Sequence, residues 1–241
     1  KGLRWTLELI TLANHFQLHN LNLYLLSNMP EYKLHYFSLR ARGEPIRVML
    51  KLAGVKYTEV LYDWGSEEWA NAKKDSSKYA FGTMPVLEID GTPVSQTMAI
   101  LRYLGKELGY APVDNLQQAK ADAIADECQD VVSKYLWQCF LETDPERKEK
   151  ARKNWFENTV LRELAYFESI LKCNGTGFFV GDKITYADIA FFCTFNDYLA
   201  GGKTEVPVQF ENCPMVTSLY QRILNEPNVA AHIKSKPNSI I

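Results

Sequence analysis

The sequence of 241 residues lacks an excess of charge of either sign. It contains 27 Lys and Arg against 29 Asp and Glu, which gives a formal net charge of −2. Intermixed charges offer neither a basic field for nucleic acid nor a patch for an anionic membrane. No run approaches the roughly 18 apolar residues that a transmembrane helix needs. We therefore predict no nucleic-acid partner and no membrane span.

Paired cysteines are also missing. The five cysteines are scattered, form no C-x-x-C pair, and begin only at Cys128. An odd, irregular set does not match a disulfide framework or a zinc site. We expect most of the five to be small core residues. A cysteine-based redox centre in the first half is excluded.

The N-terminal residues lack the pattern of a signal peptide, so we expect that any such peptide has already been removed. The chain begins at Lys1, and the amphipathic segment up to Met29 lacks the continuous apolar core of a signal sequence. A glycosylation sequon, Asn174-Gly175-Thr176, falls in a glycine-rich turn. These features favour a processed, secreted protein with Asn174 as its candidate glycosylation site. A cytoplasmic protein is the alternative, because sequons also occur by chance.

The first half of the sequence alternates between strand and helix patterns. An aromatic-rich alternation over 32–37 predicts a strand, and it is followed by a helix with Pro45 in its first turn and Gly54 at its end. A second strand is predicted over 56–62. The polar stretch 63–82 is typical of a loop with a short helix.

A hairpin and a third helix complete this pattern. Val86 to Ile89 predicts a strand, Asp90-Gly91 a tight turn, and 92–94 a returning strand. Helical spacing then runs from Ser95 to near Gly109. The order β-α-β-β-β-α over 30–110 is that of a thioredoxin-like domain, and from 116 to 241 only helical patterns occur. We predict an α/β fold, with an N-terminal thioredoxin-like domain followed by an all-α helical domain, and an N-terminal extension over 1–29.

Local patterns leave structural and functional interpretations open at three places. Tyr36, at a strand end, is either a core aromatic or a reacting hydroxyl. The Met84-Pro85 bond is expected to be trans, because only about 5–6% of X-Pro bonds are cis; a cis bond would free the Met84 backbone to pair with an extended peptide. Ser95, Gln96 and Thr97 either cap a helix or present its N–H groups to an anion.

Four segments together resemble the sigma-class glutathione transferases. They are "YKLHYFSLRARGEPIRVMLKLAG", "W…K…FGTMPVLEIDG", "SQTMAILRYL" and "ADAIADECQD". The similarity runs from about Pro30 to the C-terminus and includes the glutathione-dependent prostaglandin D synthase type, invertebrate forms in particular. It implies an enzyme that uses glutathione as co-substrate and adds its thiolate to small hydrophobic electrophiles or lipids. Prostaglandin D synthase and lipid hydroperoxide peroxidase activities are further expectations.

The resemblance assigns the catalytic role to Tyr36. A free cysteine thiol has a pKa of about 8.5, so little of the glutathione thiol is ionised at neutral pH. A phenol of pKa about 10 stays protonated and can donate a hydrogen bond to the sulfur, which favours the anion. Lowering the thiol pKa by two units requires about 2.7 kcal/mol of preferential stabilisation. Tyr36 is therefore expected to be a hydrogen-bond donor, not a base.

The resemblance also implies which residues contact glutathione. Trp69 and Lys73 match contacts to its glycine carboxylate, and Gln96 and Thr97 match contacts to its γ-glutamyl end. The full expected set is Tyr36, Arg42, Trp69, Lys73, Gly82, Thr83, Met84, Gln96 and Thr97, with Asp130 from the partner subunit of a homodimer. Arg42 adds positive potential near the sulfur, whereas Arg40 and Arg47 are expected to be ordinary surface charges.

Two positions depart from the pattern of the family. Thr83 stands where vertebrate relatives have a lysine, which removes a charged contact to glutathione. Gln129 replaces one acid of a cation-binding cluster, and Asp126 and Asp130 alone are a poor ligand set for a divalent cation. We therefore predict no metal. The departures also give weight to an alternative function, a non-catalytic glutathione- or ligand-binding structural protein on the same fold, as in the related lens proteins.

Two features of the helical half bear on its architecture. Thr185-Tyr186-Ala187-Asp188 predicts a capping box at the start of a buried helix, with Ile184 as the preceding apolar residue. The segment 131–140 is rich in aromatics. These either pack in a helical core or line an apolar pocket for the electrophile.

Overall fold

The structure is a computed structural model that describes residues 29–235. Apart from Met29, the N-terminal extension predicted over 1–29 lies outside these residues. Within the described range, no helix is both long and apolar enough to cross a membrane.

The first half forms a four-stranded sheet with helices. Its elements are β1 (Tyr32–Phe37), α1 (Glu44–Leu52), β2 (Thr58–Tyr62), α2 (Glu67–Ala72), β3 (Val86–Ile89), β4 (Thr92–Ser95) and α3 (Thr97–Glu107). The strand order is β2-β1-β3-β4, in which β1 and β2 are parallel and the other two pairs are antiparallel. The predicted thioredoxin-like order is confirmed.

Turn residues explain the element boundaries in this half. Pro45 lies in the first turn of α1, and Gly54 follows its end with a φ of 67°. Asp90 and Gly91 have φ values of 49° and 82°, as a two-residue hairpin of type I′ requires. The third helix begins at Thr97 rather than Ser95, because Ser95 still pairs with Val86 in the sheet.

The second half is entirely helical in the part that the structure describes. Its helices are α4 (Asn115–Tyr135), α5 (Pro145–Asn154), α6 (Val160–Asn174), α7 (Tyr186–Tyr198), α8 (Pro214–Leu224) and α9 (Pro227–Ser235). Single π-helical turns, Leu136–Phe140 and Trp155–Thr159, follow α4 and precede α6. The predicted all-α second half is confirmed.

Helix α7 lies at the centre of the molecule. Every one of its side chains is buried, and it packs against α4, α1 and α8. The capping box predicted for Thr185 and Asp188 is present at its start, and Ile184 packs against the core. Four of the five cysteines are buried, Cys173 is exposed, and all five are free thiols.

The surface positions expected for Arg40 and Arg47 are wrong. Their side chains are 1% and 0% exposed, respectively. Arg40 pairs with Asp197 at 2.8 Å, and Arg47 pairs with Glu59 at 2.9 Å and Glu44 at 3.4 Å. Three arginines within eight residues suggest exposure. Burial is tolerated here because carboxylates from α7, β2 and α1 converge on these arginines.

Candidate active site

A cavity of about 310 Å³ lies between the two halves at the end of β1. Six of the expected glutathione contacts line it, namely Tyr36, Arg42, Trp69, Gly82, Thr83 and Met84. The helical half contributes Leu136, Trp137, Phe140 and Leu141 to the opposite wall. The cavity therefore has one side formed by the expected glutathione contacts and one side that is apolar.

Tyr36 is both a core aromatic and a hydroxyl at the cavity. Its side chain is 4% exposed, and its ring packs against the backbone of Gly43. A Cβ at position 43 would lie 2.4 Å from Tyr36 Cδ1, so only glycine fits there. The Tyr36 hydroxyl accepts a hydrogen bond from the Arg42 backbone N–H at 3.0 Å. Because that bond uses a lone pair, the hydroxyl proton remains available for donation.

The surroundings of Tyr36 keep its phenol protonated. Burial raises the pKa of Tyr36 to about 12, although the Arg42 N–H and the charges of Arg42 and Arg47 act in the opposite direction. The Arg47 guanidinium carbon lies 5.6 Å from the centre of the Tyr36 ring. A phenol with this pKa is neutral throughout the physiological range, which suits a donor and not a base.

The backbone of Arg42 links the Tyr36 hydroxyl to the start of α3. Its N–H donates to Tyr36, and its carbonyl accepts a hydrogen bond from Thr97 Oγ1 at 3.0 Å. Thr97 is buried, whereas Gln96 is exposed with a φ of 78°. Both lie at the N-terminus of α3 as expected, but neither lines the cavity that contains Tyr36.

Trp69 belongs to a cluster of aromatic rings at the wall of the cavity. Ser66 Oγ caps α2 by accepting the Trp69 N–H at 3.2 Å, which fixes the position of this helix. The Trp69 ring packs against Tyr79 with centroids 5.1 Å apart and edge-on against Phe37 at 5.8 Å. Lys73 lies one turn later, is exposed, and is not part of the cavity wall.

The loop Gly82-Thr83-Met84 forms the rim of the cavity next to β3. Thr83 is exposed, and Met84 is buried. The Met84-Pro85 peptide bond is cis, which is the alternative that general frequencies disfavour and that the sequence left open.

The acidic residues of α4 lie outside the cavity. Asp130 is exposed, and Gln129 donates a hydrogen bond to Ser133 on its own helix. Asp126 forms an ion pair with Arg102. Across residues 29–235, no group of three or more His, Cys, Asp and Glu side chains could hold a metal ion.

Several cavity residues were not among the expected contacts. Phe37, Leu39, Ala41 and Trp64 line it. Trp64 is 70% exposed and packs on Phe37 with centroids 4.8 Å apart. A tryptophan in a polar loop is the sequence signal that could have identified it.

The aromatic run 131–140 divides between the core and the cavity. Tyr135 packs against Trp155 and Tyr198, with ring centroids 4.8 and 5.1 Å apart. Trp137 and Phe140 line the cavity instead. Tyr135 therefore packs in the core, whereas Trp137 and Phe140 line a cavity whose use by an electrophile stays a prediction.

The Asn174 side chain organises the turn that follows α6. It is exposed, and its Nδ2 donates to Thr176 Oγ1 at 2.7 Å and to the carbonyls of Phe178 and Gly181 at 2.9 Å each. A glycan on Nδ2 would leave this nitrogen with one proton. The glycosylated nitrogen could then donate only one hydrogen, so the contacts with the three acceptors could not all be kept.

Comparisons with known proteins agree with this arrangement. The sequence models "Glutathione S-transferase, N-terminal domain" and "Glutathione S-transferase, C-terminal domain" match residues 32–106 and 129–236. S-crystallin SL11 of Nototodarus sloanii is 32% identical over 219 residues, which cover 88% of this chain and 99% of that protein. Glutathione S-transferase 4 of Caenorhabditis elegans is 31% identical over 216 residues, which cover 88% and 100%.

A solved structure is also similar. The structure of prostaglandin synthase D of Nilaparvata lugens superposes with a TM-score of 0.73 at 30% identity, covering 86% of this chain and 99% of that one. Both halves of the chain, its fold and the full length of its relatives thus match one family, and the chain belongs to the glutathione S-transferases.

Proposed function

We propose that this protein is a sigma-class-like glutathione transferase that adds the glutathione thiolate to hydrophobic electrophiles. The observation that carries the proposal is the Tyr36 hydroxyl. It accepts the Arg42 N–H and keeps its own proton, at a cavity that five other expected glutathione contacts also line. The apolar wall opposite, with Trp137 and Phe140, suits a hydrophobic second substrate.

The proposed reaction follows from the charge that develops on sulfur. Glutathione loses its thiol proton to solvent, and the Tyr36 hydroxyl donates a hydrogen bond to the resulting thiolate. A charge-assisted hydrogen bond contributes roughly 1.5–3 kcal/mol, which is comparable to the ~2.7 kcal/mol that a two-unit pKa shift requires. The half-buried Arg42 adds positive potential. The sulfur then forms a bond to the electrophilic carbon, and the leaving group departs with its electron pair.

The proposal is tested by steady-state conjugation of a chloronitrobenzene together with retention on a glutathione matrix. Turnover that saturates with glutathione supports it. Retention without turnover supports the alternative of a non-catalytic binder, which the similarity to an S-crystallin favours. Failure of both would exclude a glutathione site of either kind.

We further propose that lipid substrates use the same site, and that isomerisation of a prostaglandin endoperoxide to the D series is one such reaction. Support comes from the similarity to a prostaglandin synthase D and from the apolar wall of the cavity. Product analysis with the endoperoxide, run beside a lipid hydroperoxide, separates isomerase from peroxidase activity. If the protein conjugates small electrophiles but turns over neither lipid, its activity is limited to conjugation.

We also propose a homodimer in which Asp130 of each subunit contacts the glutathione amino group in the other. Its exposure on α4 supports this role. Asp130→Asn is expected to raise the KM for glutathione about tenfold, the loss of ~1.4 kcal/mol of binding, with kcat nearly unchanged. Asp182→Asn, at an exposed site outside the cavity, is the matched control. A monomer by sedimentation equilibrium, with an unchanged KM for Asp130→Asn, would contradict the proposal.

Secretion with a glycan on Asn174 stays a proposal that rests on the sequon and on the exposure of its turn. Mass spectrometry of the native protein, before and after glycosidase treatment, measures occupancy of Asn174. An unmodified Asn174 would favour the cytoplasmic alternative. It would also fit the position of Nδ2, whose two protons are shared among three acceptors within hydrogen-bond distance.

A further inference from the structure

Arg40 joins the two halves of the molecule through a buried fork of hydrogen bonds. Its Nε donates to Asp197 Oδ1 and its Nη2 to Asn196 Oδ1, both at 2.8 Å. Asp197 and Asn196 belong to α7 and are 1% and 0% exposed. Two parallel bonds from a planar guanidinium fix its orientation as well as its position, which a lysine cannot do.

The same guanidinium also contacts the start of α1. Its Nη2 lies 3.2 Å from Glu44 Oε1, an oxygen that also contacts His232 Nε2 at 2.9 Å. Burial opposes ionisation of Glu44, but His232, Arg40 and Arg47 together hold its pKa well below the usual range. Arg40 is thus fixed by ionised or polar partners on three elements: α1, α7 and, through Glu44, α9.

The residue after Arg40 has an unfavourable backbone conformation. Ala41 has a φ of 40°, in the left-handed region that non-glycine residues rarely adopt. Such residues are strained and persist where their surroundings hold them. The surroundings here are fixed on both sides, by the Arg40 fork before Ala41 and by the Thr97 hydrogen bond to the Arg42 carbonyl after it.

Close packing shows how little room the turn has. A Cβ at Gly202 would lie 2.8 Å from Arg40 Nε, and a Cβ at Gly43 would lie 2.4 Å from the Tyr36 ring. The N–H that follows Ala41 in the chain, that of Arg42, donates to the Tyr36 hydroxyl. The geometry at this hydroxyl therefore depends on a turn that Arg40 holds.

We propose that Arg40 is a positioning residue, which ties the turn 40–43 to α7. This tie keeps the Arg42 N–H hydrogen-bonded to the Tyr36 hydroxyl. It thereby fixes the direction in which the hydroxyl donates to the glutathione thiolate. The proposal rests on the proposed function, because it assumes that Tyr36 stabilises a thiolate. Arg40 itself is not among the residues that line the cavity.

The test is Arg40→Lys, which keeps the positive charge and removes the fork. The expected result is a rise of about one unit in the apparent pKa of the enzyme-bound glutathione thiol, measured by the ultraviolet absorbance of the thiolate. At a pH below the wild-type thiol pKa, kcat/KM is expected to fall about tenfold. The KM for glutathione is expected to change by less than about twofold, because no residue that touches glutathione is altered.

A rescue variant tests the role assigned to the turn. In the double variant Arg40→Lys/Ala41→Gly, glycine adopts a positive φ without penalty, so the turn needs less support. Part of the shift in thiol pKa is expected to be reversed. If Arg40→Lys does not fold, Asp197→Ala, which removes the acceptor of the Arg40 Nε hydrogen bond, carries the same expectation for the thiol titration.

Glu168→Gln is the matched control for a purely structural effect. Glu168 is 5% exposed, accepts the N–H groups of Met215 and Val216 at 3.2 and 2.9 Å, and is not among the residues that line the cavity. It is expected to lower stability without moving the thiol titration. The proposal would be overturned if Arg40→Lys also lowered stability and left the thiol titration unchanged. A wild-type enzyme that binds glutathione without lowering its thiol pKa would instead overturn the role of Tyr36.

Discussion

Replacing Tyr36 by phenylalanine is expected to raise the pKa of the bound glutathione thiol by about two units and, at a pH below the wild-type thiol pKa, to lower kcat/KM about 100-fold. The two figures describe the same ~2.7 kcal/mol, the preference for thiolate over thiol that the hydroxyl supplies. The ring itself is retained, so its contacts with Gly43 and Arg47 persist. The Arg42 N–H loses its acceptor. Stability is therefore expected to fall by about 1 kcal/mol.

The thiolate absorbance of the binary complex with glutathione, titrated against pH, measures the shift directly. Tyr186→Phe is a suitable control, because Tyr186 is also a buried tyrosine whose hydroxyl donates a hydrogen bond, to Asp122 at 2.8 Å. It is expected to lose stability and to keep the wild-type thiol pKa. If Tyr36→Phe also keeps the wild-type thiol pKa, the hydroxyl has no part in activation.

The pH profile separates a donor from a base. Burial raises the pKa of Tyr36 to about 12, so the phenol stays protonated at any pH at which glutathione is assayed. The rate is therefore expected to rise with pH through the thiol pKa and then level off. A tyrosinate acting as base would instead keep the rate rising towards the pKa of Tyr36.

Local sequence information was sufficient for the fold of the first half. Its strands and helices are bounded by residues with a direct conformational effect, such as Pro45, Gly54 and the Asp90-Gly91 pair. These residues act over a few positions, so a single sequence reveals them. Tyr36 was different, because a strand-end position does not decide between packing and chemistry: the side chain is buried and also lines the cavity, and the reacting role of its hydroxyl stays a prediction.

The environment of the arginines could not be predicted from local sequence. Arg40 is separated by 157 positions from its partner Asp197, and His232 by 188 from Glu44. Charge spacing along the chain carries no information about such pairs, so Arg40 and Arg47 looked like surface residues. The same limit applies to the cavity wall. Trp137 and Phe140 line it and Tyr135 does not, and the sequence alone left both positions open for the whole aromatic segment.

Replacing Asp188 by alanine is expected to lower the free energy of unfolding by about 3–5 kcal/mol, among the largest effects of any single change. Asp188 is fully buried, and its Oδ2 accepts from Thr185 N and Oγ1 at 2.7 and 2.8 Å. Its Oδ1 accepts from Phe179 N at 2.9 Å. Alanine leaves two buried N–H groups without an acceptor, at about 1–3 kcal/mol each, and removes the cap of the central helix α7.

Chemical denaturation at constant pH measures this loss, and Asp144→Ala is its matched control. Asp144 caps α5 through the same kind of bond, from Arg147 N at 2.9 Å, but at an exposed helix end where water replaces the lost acceptor. Its loss is expected to cost about 1 kcal/mol. If both variants lose the same free energy of unfolding, burial of α7 does not increase the contribution of its N-terminal cap to stability.

The penalty for Asp188→Ala is also expected to depend on pH. Burial raises the pKa of Asp188 from 3.8 to about 6, although its three hydrogen bonds act in the opposite direction. Between these two values the folded state binds a proton that the unfolded state has released. The contribution of Asp188 to stability is therefore largest below pH 3.8 and decreases as the pH rises through about 6. Denaturation of both proteins at pH 5 and pH 7 is expected to show the larger difference at pH 5, whereas a constant difference would mean that the hydrogen bonds fully offset the burial of the carboxylate.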